Sequence, residues 1–367
     1  MAKEPKLERI DIAPECRAVK DWFPTRESAE AALPAIMAHI TTTGQTHTCF
    51  CHTHTKPPEN APVVYLHEFA IPEKFRKAKR FCPCPCCWPE FGKFGQGRVG
   101  WFPEERIIRI IGEDCFDALN PEGHRLAVTQ FEREREWKRH TEFLLSNGCK
   151  LSDVQDVITQ AYFVAKVLEQ FHEVLHDRLR LVRLNLWPYV RRNGELTINV
   201  PEKEFRRHSN GEIYTHEVHG TKIYAVLPGY KMLDPNLSRL SDTLRNISDR
   251  LRPFSYGDMW DERIANMGDE EKRSTAETLS RQVRNAKNAI AETRRVQRFV
   301  EKVSINTLRG WGADQGCPIP YNYAHHGTYI SFGRSDAERV NVRLPKNILN
   351  HVGEVDFWTD LEPRRGK

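Results

Sequence analysis

The beginning of the chain lacks a hydrophobic segment. Charged side chains occur every few positions through residue 23, so this part has no apolar stretch of about 7–15 residues of the kind that a secretory signal contains. It also has no run of about 20 apolar residues that could cross a bilayer. We therefore expect a cytoplasmic protein without a membrane partner.

A strong excess of charge and low-complexity tracts are absent as well. The formal net charge is +5 over 367 residues, a mildly basic balance that permits a nucleic-acid partner without requiring one. Hydrophobic residues make up 39% of the chain and charged residues 29%, which excludes wholesale disorder and is typical of a globular protein with charge-rich helices. A chain of this length is expected to form two or three domains.

Cysteine, by contrast, is abundant and unevenly distributed. Six of the ten cysteines fall between residues 49 and 87, in the stretches THTCFCHTH and RFCPCPCCWP. In a reducing compartment, clustered cysteines are more typical of a metal site than of disulfides. The alternative is that they are reduced side chains buried as small hydrophobes, which fits the isolated Cys16, Cys149 and Cys317 better than it fits the cluster.

The spacing of Cys84 and Cys87 predicts a structural zinc site. A C-P-x-C turn lets two thiolates converge on one ion, and a structural Zn²⁺ needs four ligands. The second pair comes from the first cluster or from Cys115 in IIGEDCF. The candidate ligands are Cys49, Cys51, His52, Cys82, Cys84, Cys87 and Cys115. With Cys86, His47 and His54 the donors suffice for a second ion, so the identity of the four ligands and the number of ions stay open.

Heptad spacing predicts long paired helices after residue 120. The segment 124–147 is typical of a charged helix that Gly148 ends. The next helix has an apolar residue every seven positions, at Val154, Ala161, Leu168, Leu175 and Val182. The short turn between the two helices predicts an antiparallel hairpin. Heptad runs within 237–251 and 279–300 predict a second hairpin.

Other segments have the period of β-strands. Short apolar pieces at 63–71 and 106–112 predict strands beside the cysteines. The dipeptides Asn193-Gly194 and His219-Gly220 each lie between alternating segments and predict two β-hairpins. Residues 327–345 predict a small closing β element.

These patterns together predict an α+β, helix-dominated protein. An N-terminal zinc module is followed by two antiparallel coiled-coil-like helical hairpins with small β-hairpin elements. The expected segments are 1–120 (an N-terminal helix, which Pro34 bends, and the zinc module), 121–183 (helical hairpin), 184–235 (β-hairpin insertion), 236–309 (second helical hairpin, with a basic face) and 310–367 (C-terminal β element).

The sequence HEVLH at residues 172–176 resembles the signature of the zinc metalloproteases. In that pattern two histidines one helical turn apart bind zinc and the glutamate between them is the general base. The resemblance therefore implies that His172 and His176 are ligands and that Glu173 is the base, with a third ligand not identified. The heptad assignment instead puts the histidines on the flank of the seam and Glu173 towards solvent, as on a solvated helix face.

Basic residues are concentrated in two places. One is the segment just before the second cysteine cluster, and the other is a stripe opposite the apolar seam of the helix predicted over 270–308. A basic stripe can follow a phosphate backbone, although a solvated helix face has the same pattern. The candidate nucleic-acid contacts are Lys77, Lys79, Arg80, Arg281, Arg284, Arg295 and Arg298.

The leading hypothesis from sequence is a non-enzymatic, zinc-stabilised protein that associates with DNA or RNA through backbone contacts. Two alternatives stay open. One is an interaction scaffold whose heptad helices pair with a second copy or with another protein. The other is a zinc metallohydrolase that uses residues 172–176.

Overall fold

The computed structural model describes residues 9–18, 23–178, 186–209, 211–335 and 337–361. It is 47% helical and 21% strand, which confirms a mixed helix-and-strand protein with small antiparallel sheets. None of the described helices combines the length and the hydrophobicity that a bilayer crossing requires. The chain divides into two compact units, Met1–Lys138 (unit 1) and Arg139–Lys367 (unit 2), and each is described by itself.

Unit 1 is built on a three-stranded antiparallel sheet. Strand β1 (Val64–Ala70) pairs with β4 (Gln96–Phe102), and β4 pairs with β5 (Ile107–Gly112). Nearly every side chain of β4 and β5 is buried, as expected of strands that read as continuous apolar runs. The apolar pieces at 63–71 and 106–112 thus form strands, as the sequence predicts.

Short helices and a two-stranded ribbon complete unit 1. Helices α1 (Arg26–Ala31) and α2 (Leu33–Thr43) are separate because Pro34 occupies the first turn of α2, where its missing N–H costs nothing. Helix α3 (Glu73–Lys77) precedes the ribbon. The ribbon consists of β2 (Cys82–Cys84) and β3 (Trp88–Phe94), paired antiparallel.

Long helices form the core of unit 2. The boundary between the units falls inside α4 (Pro121–Asn147). The helices after it include α5 (Leu151–Arg178), α6 (Leu240–Leu251), α7 (Trp260–Asn266), α8 (Asp269–Gln297) and α9 (Lys302–Gly312). Of these, α5 packs chiefly against α6 and α8. The structure therefore does not show the predicted hairpin between the segment 124–147 and the helix that follows it.

The heptad residues of α5, α6 and α8 are buried within unit 2. The buried seam positions are Val154, Ala161, Leu168, Leu175, Leu244, Leu251, Leu279, Val283, Ala286 and Ile290, each at most 3% exposed. Val182, the last position of the first run, lies outside the described residues. The periodicity thus marks the core face of each helix, and the seams are covered by other helices of the same chain.

A single long hairpin replaces the two that the sequence predicts. Strand β6 (Glu195–Arg207) pairs with β7 (Ile213–Val226) along its whole length, and the turn lies at 208–212. His219-Gly220 lies inside β7, where Gly220 is paired with Val200 of β6. That glycine makes no turn.

The last described strands form a second small sheet in unit 2. Strand β9 (Tyr329–Gly333) lies between β8 (Asn322–His325) and β10 (Val340–Arg343), and both pairings are antiparallel. This sheet covers the region in which the sequence predicts a closing β element.

Candidate metal centre

Three cysteine thiols converge at one end of the β2–β3 ribbon. Cys84 ends β2, Cys87 lies just before β3, and Cys115 follows β5. Their Sγ atoms all lie within 4.8 Å of one another, and those of Cys87 and Cys115 are 3.4 Å apart. Cys84 is buried and the other two are half-buried. Three soft ligands that face one point can hold a metal ion.

Local backbone features bring these thiols together. Cys84 is directly opposite Trp88 in the ribbon, so residues 85–87 form a tight turn between the strands. At the end of β5, a Cβ atom on Gly112 would lie 2.6 Å from the Sγ of Cys115. The absence of a side chain at Gly112 therefore lets the Cys115 thiol fold back over the sheet towards the ribbon.

Hydrogen bonds among the thiols favour a thiolate at Cys84. The thiols of Cys115 and Cys86 donate to it and lower its pKa. The same interactions, together with burial, raise the pKa of Cys86 and of Cys115. The Lys93 ammonium lies 3.2 Å from the Sγ of Cys87, and this contact raises the pKa of Lys93. A thiol must lose its proton to bind an ion, and these contacts favour that loss at Cys84.

Two buried cysteines of the same ribbon have different surroundings. Cys86 is 8% exposed, lies in the turn between Cys84 and Cys87, and lowers the pKa of Cys84, but it is not one of the three converging thiols. Cys82 is 1% exposed, and its Sγ lies 3.4 Å from the Gly44 carbonyl oxygen. The sequence-predicted ligands Cys84, Cys87 and Cys115 are therefore brought together, whereas Cys82 is held elsewhere.

His52 and His54 of the first cluster form a hydrogen-bond chain, whereas the buried Nδ1 of His47 has no partner among the described residues. The Ile110 N–H donates to Nδ1 of His52 (3.0 Å), His52 Nε2–H donates to Nδ1 of His54 (2.9 Å), and His54 Nε2–H donates to the Pro89 carbonyl (2.8 Å). This order assigns a neutral Nε2–H tautomer to both rings. Burial lowers the pKa of both histidines, consistent with neutral rings. All four ring nitrogens have partners, so His52 has no free lone pair for an ion here.

Cys49 and Cys51 lie in the core of unit 1. Both are at most 4% exposed, and burial raises their pKa values, that of Cys51 to about 11. Apart from Cys84, Cys87 and Cys115, no group of three metal-binding side chains converges within the described ranges. The structure thus separates Cys49, Cys51, His52 and Cys82 from the thiols that meet.

The HEVLH segment lies on α5 and does not form a site among the residues described. Nε2–H of His172 donates to the Asp234 carbonyl at 2.8 Å. Glu173 and His176 are exposed to solvent. The two histidines therefore have different surroundings, one tied to backbone and one solvated.

The predicted nucleic-acid contacts are all exposed, but only some are free of carboxylates. Lys77 pairs with Glu73 at 2.9 Å, and Arg295 pairs with Glu292 at 2.6 Å. The others have no carboxylate within ion-pair distance in the described part of the chain; they are Lys79, Arg80, Arg281, Arg284 and Arg298.

Two aromatic side chains beside the cysteines escape the sequence prediction. Phe81 and Trp88 are 41% and 44% exposed; Phe81 precedes the buried Cys82 and Trp88 follows the half-buried Cys87. The Trp88 ring makes an edge contact with Phe91 at a centroid distance of 6.0 Å, and the Phe81 ring lies against Gly95 together with the stem of Arg76. The sequence feature that could have indicated these exposed rings is an aromatic residue immediately before Cys82 and another immediately after Cys87.

Comparison of the chain with protein-family models, with curated proteins and with solved structures gave no match. Function is therefore inferred from the side chains themselves.

Proposed function

We propose that unit 1 is a zinc-stabilised nucleic-acid-binding module and that its β2–β3 ribbon binds a single strand. Zinc is the ion that a closed set of cysteine thiolates fits best, and a closed set supplies folding energy. We assign the fourth ligand to Cys86, a buried thiol in the turn between Cys84 and Cys87 that lowers the pKa of Cys84. The site then fixes the turn between β2 and β3 and so fixes the residues on either side of it.

The observation that carries this proposal is a pair of exposed aromatic rings beside unpaired cations. Phe81 and Trp88 keep more than a third of their surface in solvent, and Lys79 and Arg80 directly precede Phe81 without a carboxylate partner in the described ranges. Aromatic rings stack on bases of any sequence, and cations contact the phosphates between them. Phe81 directly precedes β2 and Trp88 begins β3, so both rings belong to the same ribbon.

The rings are held in place by neighbouring groups, which supports a binding role. Trp88 is braced by the edge of Phe91, and Phe81 shares the surface of Gly95 with Arg76. An aromatic ring that is fixed before binding loses little conformational freedom when a base stacks on it. Arg76 also has no carboxylate partner among the described residues, so it adds a third cation beside Phe81.

Fluorescence anisotropy with a labelled single-stranded oligonucleotide tests the proposal. Phe81→Ala and Trp88→Ala are each expected to weaken binding by about 1–3 kcal/mol, that is by roughly fivefold or more. Phe163→Ala removes an exposed ring of unit 2 (60% exposed) and is the matched control, expected to bind like the wild type. Arg80→Glu is expected to reduce the slope of log K against log salt concentration by about 0.7, the value for one lost phosphate contact on a single strand. Absence of binding at low salt, or full binding by both ring variants, would refute the proposal.

The helix α8 stripe stays a separate prediction. Arg281, Arg284 and Arg298 are exposed and lack a carboxylate partner within the described residues. Their simultaneous replacement by glutamate tests whether this helix adds affinity for DNA or RNA at low salt. Unchanged affinity would confine binding to unit 1.

The two alternative functions have less support. Pairing of the chain through its heptad seams would need side chains that other helices of unit 2 already cover. A zinc hydrolase centred on Glu173 would need ligands that converge beside it, and His172 is bonded to a backbone carbonyl instead. Each stays a prediction, and for the hydrolase the test is loss of a peptidase activity in Glu173→Gln.

A further inference from the structure

The β6–β7 hairpin of unit 2 is a ribbon with almost all of its side chains in solvent. From residue 201 to residue 217 every described side chain is exposed. These include large apolar groups: Phe205 at 78%, Ile213 at 63% and Tyr214 at 37%. A ribbon of only two strands is marginally stable in water, and a third strand or a packed face is normally needed.

The outer edge of β6 is blocked over its first half, up to Pro201. The Asn199 N–H donates to the Gly316 carbonyl at 2.8 Å, and the Thr197 carbonyl accepts from the Trp311 indole at 2.8 Å. Pro201, the next residue in the same orientation, has no N–H to offer. Natural proteins protect edge strands with such features, so β6 is a poor site for a further strand.

The outer edge of β7 has none of these protections. Because Thr197 and Asn199 direct their backbone groups away from β7, their partners Ile223 and Thr221 also direct theirs outward. Six residues of β7 share this orientation, and none makes an outward backbone hydrogen bond to any described residue. They are Ile213, Thr215, Glu217, His219, Thr221 and Ile223.

We propose that this edge pairs with β7 of a second copy of the chain, antiparallel, with Val218 on the two-fold axis. The reason is the order of side chains, which is complementary to itself about Val218. In this register Ile213 meets Ile223 of the other copy, Thr215 meets Thr221, and Glu217 meets His219. Each contact occurs twice by symmetry.

The other face of the ribbon fits the same register. Val218 meets its own copy on the axis, Tyr214 faces Lys222 and His216 faces Gly220, so no like charges are opposed. Shifting the register by two residues brings Glu217 opposite either Thr221 or Glu217 of the other copy, and in both cases the pairing with His219 is lost. About twelve backbone hydrogen bonds join the two edges in the complementary register, and the two ribbons become one four-stranded sheet.

Sedimentation velocity over a range of concentrations tests the pairing. The wild type is expected to dimerise at micromolar concentration. Thr221→Pro removes an outward N–H, as Pro201 does on β6, and is expected to raise the dissociation constant at least about tenfold. Lys203→Pro makes the same change on the outer edge of β6 and is the matched control, expected to dimerise like the wild type. A chain that stays monomeric up to about 100 µM, or equal effects of the two prolines, would overturn the proposal.

A charge exchange provides a second test that leaves the backbone intact. Glu217→His alone puts two histidines opposite each other and is expected to weaken the dimer several-fold. Adding His219→Glu restores a glutamate opposite each histidine and is expected to return the dissociation constant to within about threefold of the wild type. If the double variant dimerises no better than the single one, this register is wrong. Hydrogen exchange gives the location, since the outward amides of β7 are expected to gain protection as concentration rises.

Discussion

Replacing Cys115 by serine removes one of three thiols that lie within 4.8 Å of one another, with little change in side-chain volume. A metal ion that binds only the folded unit stabilises it by RT ln(1 + [L]/Kd), which is about 4 kcal/mol when free zinc exceeds Kd a thousandfold. Unit 1 contains 138 residues, and for a unit of that size each kcal/mol shifts the melting temperature by roughly 3–5 °C. We therefore expect Cys115→Ser to lower the melting temperature of unit 1 by roughly 10–20 °C.

The assay combines elemental analysis of the purified protein with hydrogen exchange of the β2–β3 ribbon during a temperature series. The matched control is Cys82→Ser, because Cys82 is a buried thiol of the same ribbon that contacts the Gly44 carbonyl and not the other sulfurs. Cys82→Ser is expected to keep the metal ion. The wild type is expected to keep it as well, until a chelator is added. Cys86→Ser tests whether Cys86 is the fourth ligand. If it is, the variant loses the ion; if the Cys86 thiol only donates to Cys84, the variant keeps it. If Cys115→Ser holds as much metal as wild type, or chelation leaves the melting unchanged, the metal centre does not exist.

The remaining predictions concern protonation, packing and the second histidine motif. Burial holds the pKa of His52 in the folded protein well below its ordinary 6.5, so below about pH 6.5 the unfolded chain binds a proton that the folded chain does not. The free energy of unfolding, measured with urea on chelator-treated protein, should therefore decrease as the pH falls below about 6.5. His52→Gln should make this pH dependence weaker. Gly148→Ala places a Cβ atom 1.6 Å from the Trp260 ring, so it should cost unit 2 about 1–3 kcal/mol by thermal denaturation, whereas Gly268→Ala, whose Cβ meets open space, should cost far less. His176→Asn should leave the metal content unchanged, because this side chain is solvated.

Periodicity was sufficient to place the core helices but not to say which helices pack together. The heptad positions of α5 are buried as their spacing requires, since a seven-residue apolar repeat places one face of a helix against something. Which helix lies against that face depends on contacts far apart in sequence. Here α5 packs on α6 and α8, after an intervening hairpin, and not chiefly on its neighbour in sequence. A short turn at Gly148 is compatible with an antiparallel pair, but the main helix contacts of α5 are with α6 and α8.

Turn chemistry misled the prediction of the β-hairpins for a related reason. Asn193 and Gly194 both have positive φ, as a turn prediction requires, yet the turn they form precedes β6 and does not join two paired strands. Gly220 has extended backbone and lies opposite Val200. Gly220 therefore belongs to a paired strand, and a glycine between two alternating segments is not sufficient evidence for a turn.

Clustering in sequence locates candidate thiols but not the ones that meet at one point. Cys115 reaches Cys84 and Cys87 because β5 ends beside the ribbon and Gly112 leaves room for its thiol. Cys82 is only two residues from Cys84, yet its Sγ lies against the Gly44 carbonyl oxygen. Which thiols meet therefore depends on the pairing of β2 with β3 and on where β5 ends, and spacing along the chain fixes neither.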